Sequence, residues 1–256
     1  MANFDVWCDS VNVNLGANFL QKLTARGADF DNSVISTASI VPHHYASPEN
    51  IATAFELLGK PGVAGFIKDF LPISKQTRSG DIGEILATEW INARSNGYKV
   101  PLNRLRWKDH RNLAMRGEDV IGMYIDPQTE TLFFLKTEAK SRATMNASTI
   151  IDARNNLDKE QGLPTAHALA FIATRLLETG QKELGRHILK ASLSQGIQPG
   201  HVRHLVFLLS GNASDVLLTT SINAYKGNIQ QFGVTVMVAR HGEFIQEVFD
   251  RVISHA

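Results

Sequence analysis

Residues 117–140 read GEDVIGMYIDPQTETLFFLKTEAK, and this stretch decides the fold. Two runs rich in aliphatic, β-branched and aromatic residues, 119–125 and 131–140, flank the connector Asp126-Pro127-Gln128-Thr129-Glu130. Such runs suit strands, and the Asp-Pro opening of the connector suits a turn. The segment therefore reads as a β-hairpin. With residues 127–130 as the loop, Asp126 faces Thr131 and the numbers of facing residues sum to 257, which sets Asp119 opposite Glu138.

That register carries chemistry. Like charges directly opposite each other destabilise a sheet, so an Asp119–Glu138 pair calls for a compensating cation. Lys140 lies two residues beyond Glu138 and shares its face by strand alternation. Two carboxylates and an ammonium group suit phosphodiester hydrolysis with Mg²⁺, a hard ion held by one or two carboxylates, water and substrate phosphate. Mn²⁺ accepts the same oxygen donors. Lys140 would orient the attacking water or neutralise charge on the phosphorus centre. Glu118 is the rival ligand, and it projects to the other face if the strand has begun there.

Working outward, Ile82, Ile85, Leu86 and Trp90 form the apolar stripe of an amphipathic helix from Asp81 to about Arg94, stopped by Asn96-Gly97. Residues 103–107 alternate polar and apolar and read as a short strand. Beyond the hairpin, residues 144–161 read as a helix, and residues 164–195 as two more, broken near Gly180. RHLVFLL (203–209) and GVTVMVA (233–239) read as buried strands, and residues 243–253 as a closing helix. The order predicts a mixed α/β layout around one sheet. Residues 1–75 are expected to form an irregular N-terminal appendage or partner-contact segment, and residues 76–256 the catalytic domain. Within the first part, Ser47-Pro48 opens a helix that Gly59 and Pro61-Gly62 end.

Composition sets broad limits. With 43% hydrophobic and 20% charged residues among 256, the chain is an ordinary globular one. A single cysteine, Cys8, excludes an internal disulfide. No run approaches ~18 consecutive apolar residues, so no membrane span is expected. The N-terminus lacks the basic and apolar regions of a signal peptide, which makes the cytoplasm the expected location. Net charge is only +1, yet six basic residues (Lys99, Arg104, Arg106, Lys108, Arg111, Arg116) stand against Asp109 between Tyr98 and Gly117. This strip reads either as a solvated loop or as phosphate contacts beside the site, the second drawing on Arg104, Arg106, Lys108 and Arg111. Arg142 is a further candidate for a phosphate. The adjacent His43-His44 pair points opposite ways on an extended chain and reads as non-ligating. No phosphate-binding glycine loop is present, so nucleotide use would belong to a partner.

The pattern Gly117-Glu118-Asp119 followed by Glu138-Ala139-Lys140 resembles the G-x-D … E-x-K core of PD-(D/E)xK nucleases, across residues 81–142. The resemblance implies a restriction-endonuclease-like fold. It also implies a site glutamate on the preceding helix, where Glu84 stands. Against that role, Asp81-Ile82-Gly83-Glu84 also fits a capping box in which Glu84 only stabilises the helix start. More finely, SGDIGEILATEW, LRWKDHRNLAMRGEDVIGMY and FFLKTEAKSR resemble the HamA family, the nuclease subunits of Hachiman anti-phage systems. That likeness implies a DNA substrate cut with little sequence preference and a helicase partner that restrains the nuclease. The alternative is a catalytically idle module of the same fold that binds DNA or a partner.

Overall fold

The computed structural model describes residues 2–115 and 117–255. Its centre is one six-stranded sheet. The chain runs through α1 (Phe4–Trp7), β1 (Cys8–Leu15), β2 (Asn18–Ala25), α2 (Phe30–Ala38), α3 (Val41–Tyr45), α4 (Pro48–Phe70) and α5 (Lys75–Arg94). It continues through β3 (Val120–Ile125), β4 (Leu132–Arg142), α6 (Ala147–Asp158), α7 (Ala166–Glu178), α8 (Lys182–Lys190), β5 (Val202–Ser210), α9 (Asp215–Ala224), β6 (Gln230–Met237) and α10 (His241–His255). The strand order is β1-β2-β6-β5-β4-β3. The β2–β6, β6–β5 and β5–β4 pairs are parallel, and the two outer pairs are antiparallel hairpins. This is a mixed α/β, restriction-endonuclease-like architecture, as expected.

The β3–β4 hairpin keeps the expected register from Ile125–Leu132 to Val120–Thr137, but the ladder stops there, so the expected Asp119–Glu138 strand pair is not formed. Asp126 closes the turn, its Oδ1 accepting the backbone N–H groups of Gln128 and Thr129. Alternation along β4 sends two sets of side chains to opposite faces. Leu135 joins the large core built with α5 and α10, where Ile82, Ile85, Leu86, Trp90, Phe244 and Phe249 are buried. On the other face, Phe134 packs with α7 and α8, and Lys136 donates to the carbonyls of Leu157, Lys159 and Leu163 at the end of α6.

Three expectations need correction. Residues 1–75 are not irregular: β1 and β2 extend the sheet, and Trp7 and Leu23 are fully buried in the main core. The expected strand at 103–107 is a 3₁₀ turn, Arg104–Trp107, in which Leu105 alone is buried. Five alternating residues are too few to tell a strand from a tight turn. Finally, α5 begins at Lys75, where Ser74 Oγ accepts from Thr77 N at 3.1 Å. Asp81 is therefore inside the helix, and the capping-box role for Glu84 falls away. The helix opening at Pro48 breaks at Gly59 as expected (φ 66°, a left-handed value that glycine tolerates), but helical turns resume to Phe70.

Candidate active site

The site lies where β3 stops short and β4 runs on. The β3–β4 pairing ends at Val120–Thr137, while β4 continues through Glu138 to Arg142, paired only with β5 on its other side. Asp119 turns its carboxylate onto this free edge, and its Oδ2 accepts the Ala139 backbone N–H at 2.8 Å. Glu138 and Lys140 share a face, with Lys140 Nζ 2.5 Å from Glu138 Oε1. From α6, Asn156 Nδ2 donates to the same oxygen at 2.7 Å. Glu138 is thus held from two directions.

Helix α5 brings Glu84 from the opposite face. The close approach depends on Gly83: a Cβ there would lie 3.2 Å from Ser141 Cβ on β4, tighter than ordinary van der Waals contact. Ser79 Oγ and Ser141 Oγ, 2.8 Å apart, fix the same junction. One carboxylate oxygen of Glu84, Oε2, is buried with no hydrogen-bond partner. A buried acceptor left in this state is costly.

Electrostatics tie the acids together. Burial and then the neighbouring Glu138 carboxylate push Asp119 up to about 7, against the Ala139 amide, Lys140 and Arg104. Burial and then Asp119 push Glu84 well above the usual carboxylate range, with Arg104 and Lys108 opposing. These are the signs expected when like charges share a partly dehydrated space.

Of the basic strip, Arg104 adds its field to both acids. Lys108 does not face outward. Its ammonium is 2.7–2.8 Å from both oxygens of Asp81, and both side chains are about 95% buried. Burial raises the Asp81 carboxyl while Lys108 opposes, and the Tyr45 hydroxyl donates to Asp81 as well. Arg106 donates to the His43 carbonyl at 2.7 and 3.1 Å. Charge counting cannot distinguish such internal cations from free ones. Arg111 reaches the Asp69 carbonyl at 3.5 Å, and Arg142, at the end of β4, is exposed. Arg116 lies outside the described residues.

Other singled-out residues take structural roles. Glu118 accepts from Thr165 N (2.7 Å) and Thr165 Oγ1 (3.0 Å) at the start of α7, so the rival ligand is already engaged. His44 and Glu89 form a buried pair at 3.0 Å, and Glu89 also accepts from Ala2 N. Reading the sequence missed Asn156, Asp81 and Gly83. Of these, only Gly83 carried a signal, as a glycine inside an amphipathic helix.

Among the described residues no three His, Cys, Asp or Glu side chains form a ready-made metal cage. Mg²⁺ does not require one, since it keeps several waters and takes one or two carboxylates. The unpartnered Glu84 oxygen and the raised Asp119 carboxyl fit a site that a cation would balance.

The six-stranded mixed sheet flanked by helices gives the protein a restriction-endonuclease-like fold. A family model described as HamA matches residues 7–252, and the chain belongs to that family. A relative, "Hachiman protein HamA" of Bacillus cereus, is 24% identical over 225 residues, covering 86% of this chain and 79% of that protein. No helix among the described residues is long and apolar enough to cross a membrane.

Proposed function

We propose that this protein is a Mg²⁺-dependent deoxyribonuclease acting as the effector of a Hachiman anti-phage system in the cytoplasm, cutting DNA with little sequence preference. The observation that carries this reading is the meeting of Glu84, Asp119, Glu138 and Lys140 at the free end of β4. Asp119 and Glu138, with Glu84 beside them, are the residues that would hold the ion, and Mn²⁺ suits the same oxygens. When bound, the ion would supply positive charge to the phosphate and a more acidic water.

The protein's own groups complete the chemistry. Lys140 stands beside Glu138 and offers an ammonium to the charge that develops on phosphate oxygens. Asn156 restricts the Glu138 carboxylate, so its orientation is set before substrate arrives. The Ala139 amide holds Asp119 in the same way. Arg104 adds a positive field that favours the ionised acids.

A net charge of +1 is low for a protein that grips DNA alone, which supports a helicase subunit that supplies much of the grip and controls access. The exposed Phe55, Leu57 and Leu58 on α4 make the N-terminal segment the partner-facing candidate. The test is cleavage of plasmid DNA in Mg²⁺, with and without the partner, by wild type and by the Glu138→Ala/Lys140→Ala double variant. The double variant is expected to lose at least about a hundredfold in rate. Cleavage that survives the double change would overturn the assigned site, whereas a wild type that binds DNA or the partner but cuts nothing under any of these conditions would leave the idle binding module as the correct reading.

A further inference from the structure

A cavity of about 600 Å³ opens directly off the acids, with Glu84 and Asp119 in its wall. That size falls within the roughly 300–1,000 Å³ typical of small-ligand pockets. Its lining also includes Trp107 and Phe171, edge to face with centroids 6.4 Å apart, both only partly buried. Arg175 lies 5.9 Å from the Trp107 ring and 5.5 Å from the Phe171 ring. The Arg175 Nε–H is buried and has no hydrogen-bond partner among the described residues. Arg104 lines the same cavity. Acids that suit a metal and a phosphate therefore adjoin aromatic faces with an unused donor.

A nucleotide has this bipartite chemistry. Its phosphate belongs with the acids and their cation, and its base presents a π-face and polar edge. Base–aromatic stacking tolerates any sequence because every base has such a face. Bases inside a duplex already stack on their neighbours and cannot offer that face without being extruded. We infer that the cavity is a base-binding subsite that takes one unpaired nucleotide of single-stranded DNA, stacked at Trp107 and Phe171, beside the phosphate at the acidic edge. The inference rests on the nuclease reading above and adds to it a substrate class: strands already separated, rather than intact duplex.

The test separates the two readings by measuring binding without cleavage. The full-length protein carrying Glu138→Ala is titrated with a thymidine oligonucleotide containing one 2-aminopurine, alone and annealed to its complement. The expected result is tighter binding of the single strand, with a change in 2-aminopurine fluorescence. Trp107→Leu and Phe171→Leu, each checked for folding by circular dichroism, should each weaken that binding on the order of tenfold. Equal affinity for single strand and duplex, or folded variants that bind as well as the parent, would overturn the subsite. Failure of the wild type to cleave both single-stranded DNA and plasmid in Mg²⁺ would instead count against the nuclease reading.

Discussion

Asp119→Asn isolates the central electrostatic claim. The native carboxyl is raised from 3.8 to about 7, so between those values the folded protein holds a proton that the unfolded chain has released. Stability must then fall as pH rises from about 4 to 7 and stay low above it. From pH 5 to pH 8 the carboxyl traverses about two units, or ~2.7 kcal/mol at ~1.36 kcal/mol per unit. Partial solvent contact of Asp119 reduces this to ~2 kcal/mol. Asparagine can still accept the Ala139 N–H while removing the charge. The variant's advantage over wild type should therefore grow by ~2 kcal/mol between pH 5 and pH 8, a relative rise in Tm of about 4–8 °C for a chain this size. The assay is thermal and urea unfolding of both proteins in EDTA across that range. Adding millimolar Mg²⁺ at pH 8 should raise the wild-type midpoint and leave the variant's nearly unchanged. A variant that is destabilised equally at both pH values would refute the account of the paired acids.

Three other perturbations follow from the geometry. Lys108→Met leaves the buried Asp81 carboxyl without its cation and should cost ~3–5 kcal/mol in urea unfolding at pH 8, with much of the loss recovered in Lys108→Met/Asp81→Asn. Gly83→Val would push α5 away from Ser141; DNA cleavage should fall at least about tenfold, more than unfolding midpoints alone would account for, and Gly80→Ala, where a Cβ meets open space, should be nearly neutral. Arg142→Ala removes an exposed cation and should lower the salt dependence of DNA binding by about one counterion, measured as the slope of log K against log salt, whereas a change in fold detected by circular dichroism would contradict the exposed placement.

The hairpin was legible because its signals agree: a turn opened by Asp-Pro, strands of opposed pattern, and a register fixed by loop length. That Glu138 and Lys140 share a face followed from strand alternation, whereas singling them out drew also on the likeness to the G-x-D … E-x-K core. The N-terminal strands did carry a signal, the strict alternation Val11-Asn12-Val13-Asn14-Leu15 in β1, which reading the sequence passed over. Strand β1 is an edge strand with five of its eight residues exposed, so its apolar positions mark only a partly buried face. The start of α5 was missed because KQTRSG precedes the first buried stripe residue and offers no hydrophobic period, although Ser74 caps it. The role of Lys108 was hidden for another reason. Its partner Asp81 lies 27 residues earlier, and only the tertiary fold decides which cations turn inward.

The unequal lengths of β3 and β4 have a further consequence. The overhanging end of β4 meets α5 on one face, α6 on the other, and Asp119 along its rim. Helix α5, strand β4 and the residue just before β3 each lend the acidic cluster a side chain, and α6 adds Asn156. Fluctuations that loosen one surface segment leave two layers in register, whereas separating the layers means breaking the main core. The cluster should therefore persist until the whole domain unfolds, which makes it a rigid anvil against which any moving piece of DNA or protein must adapt.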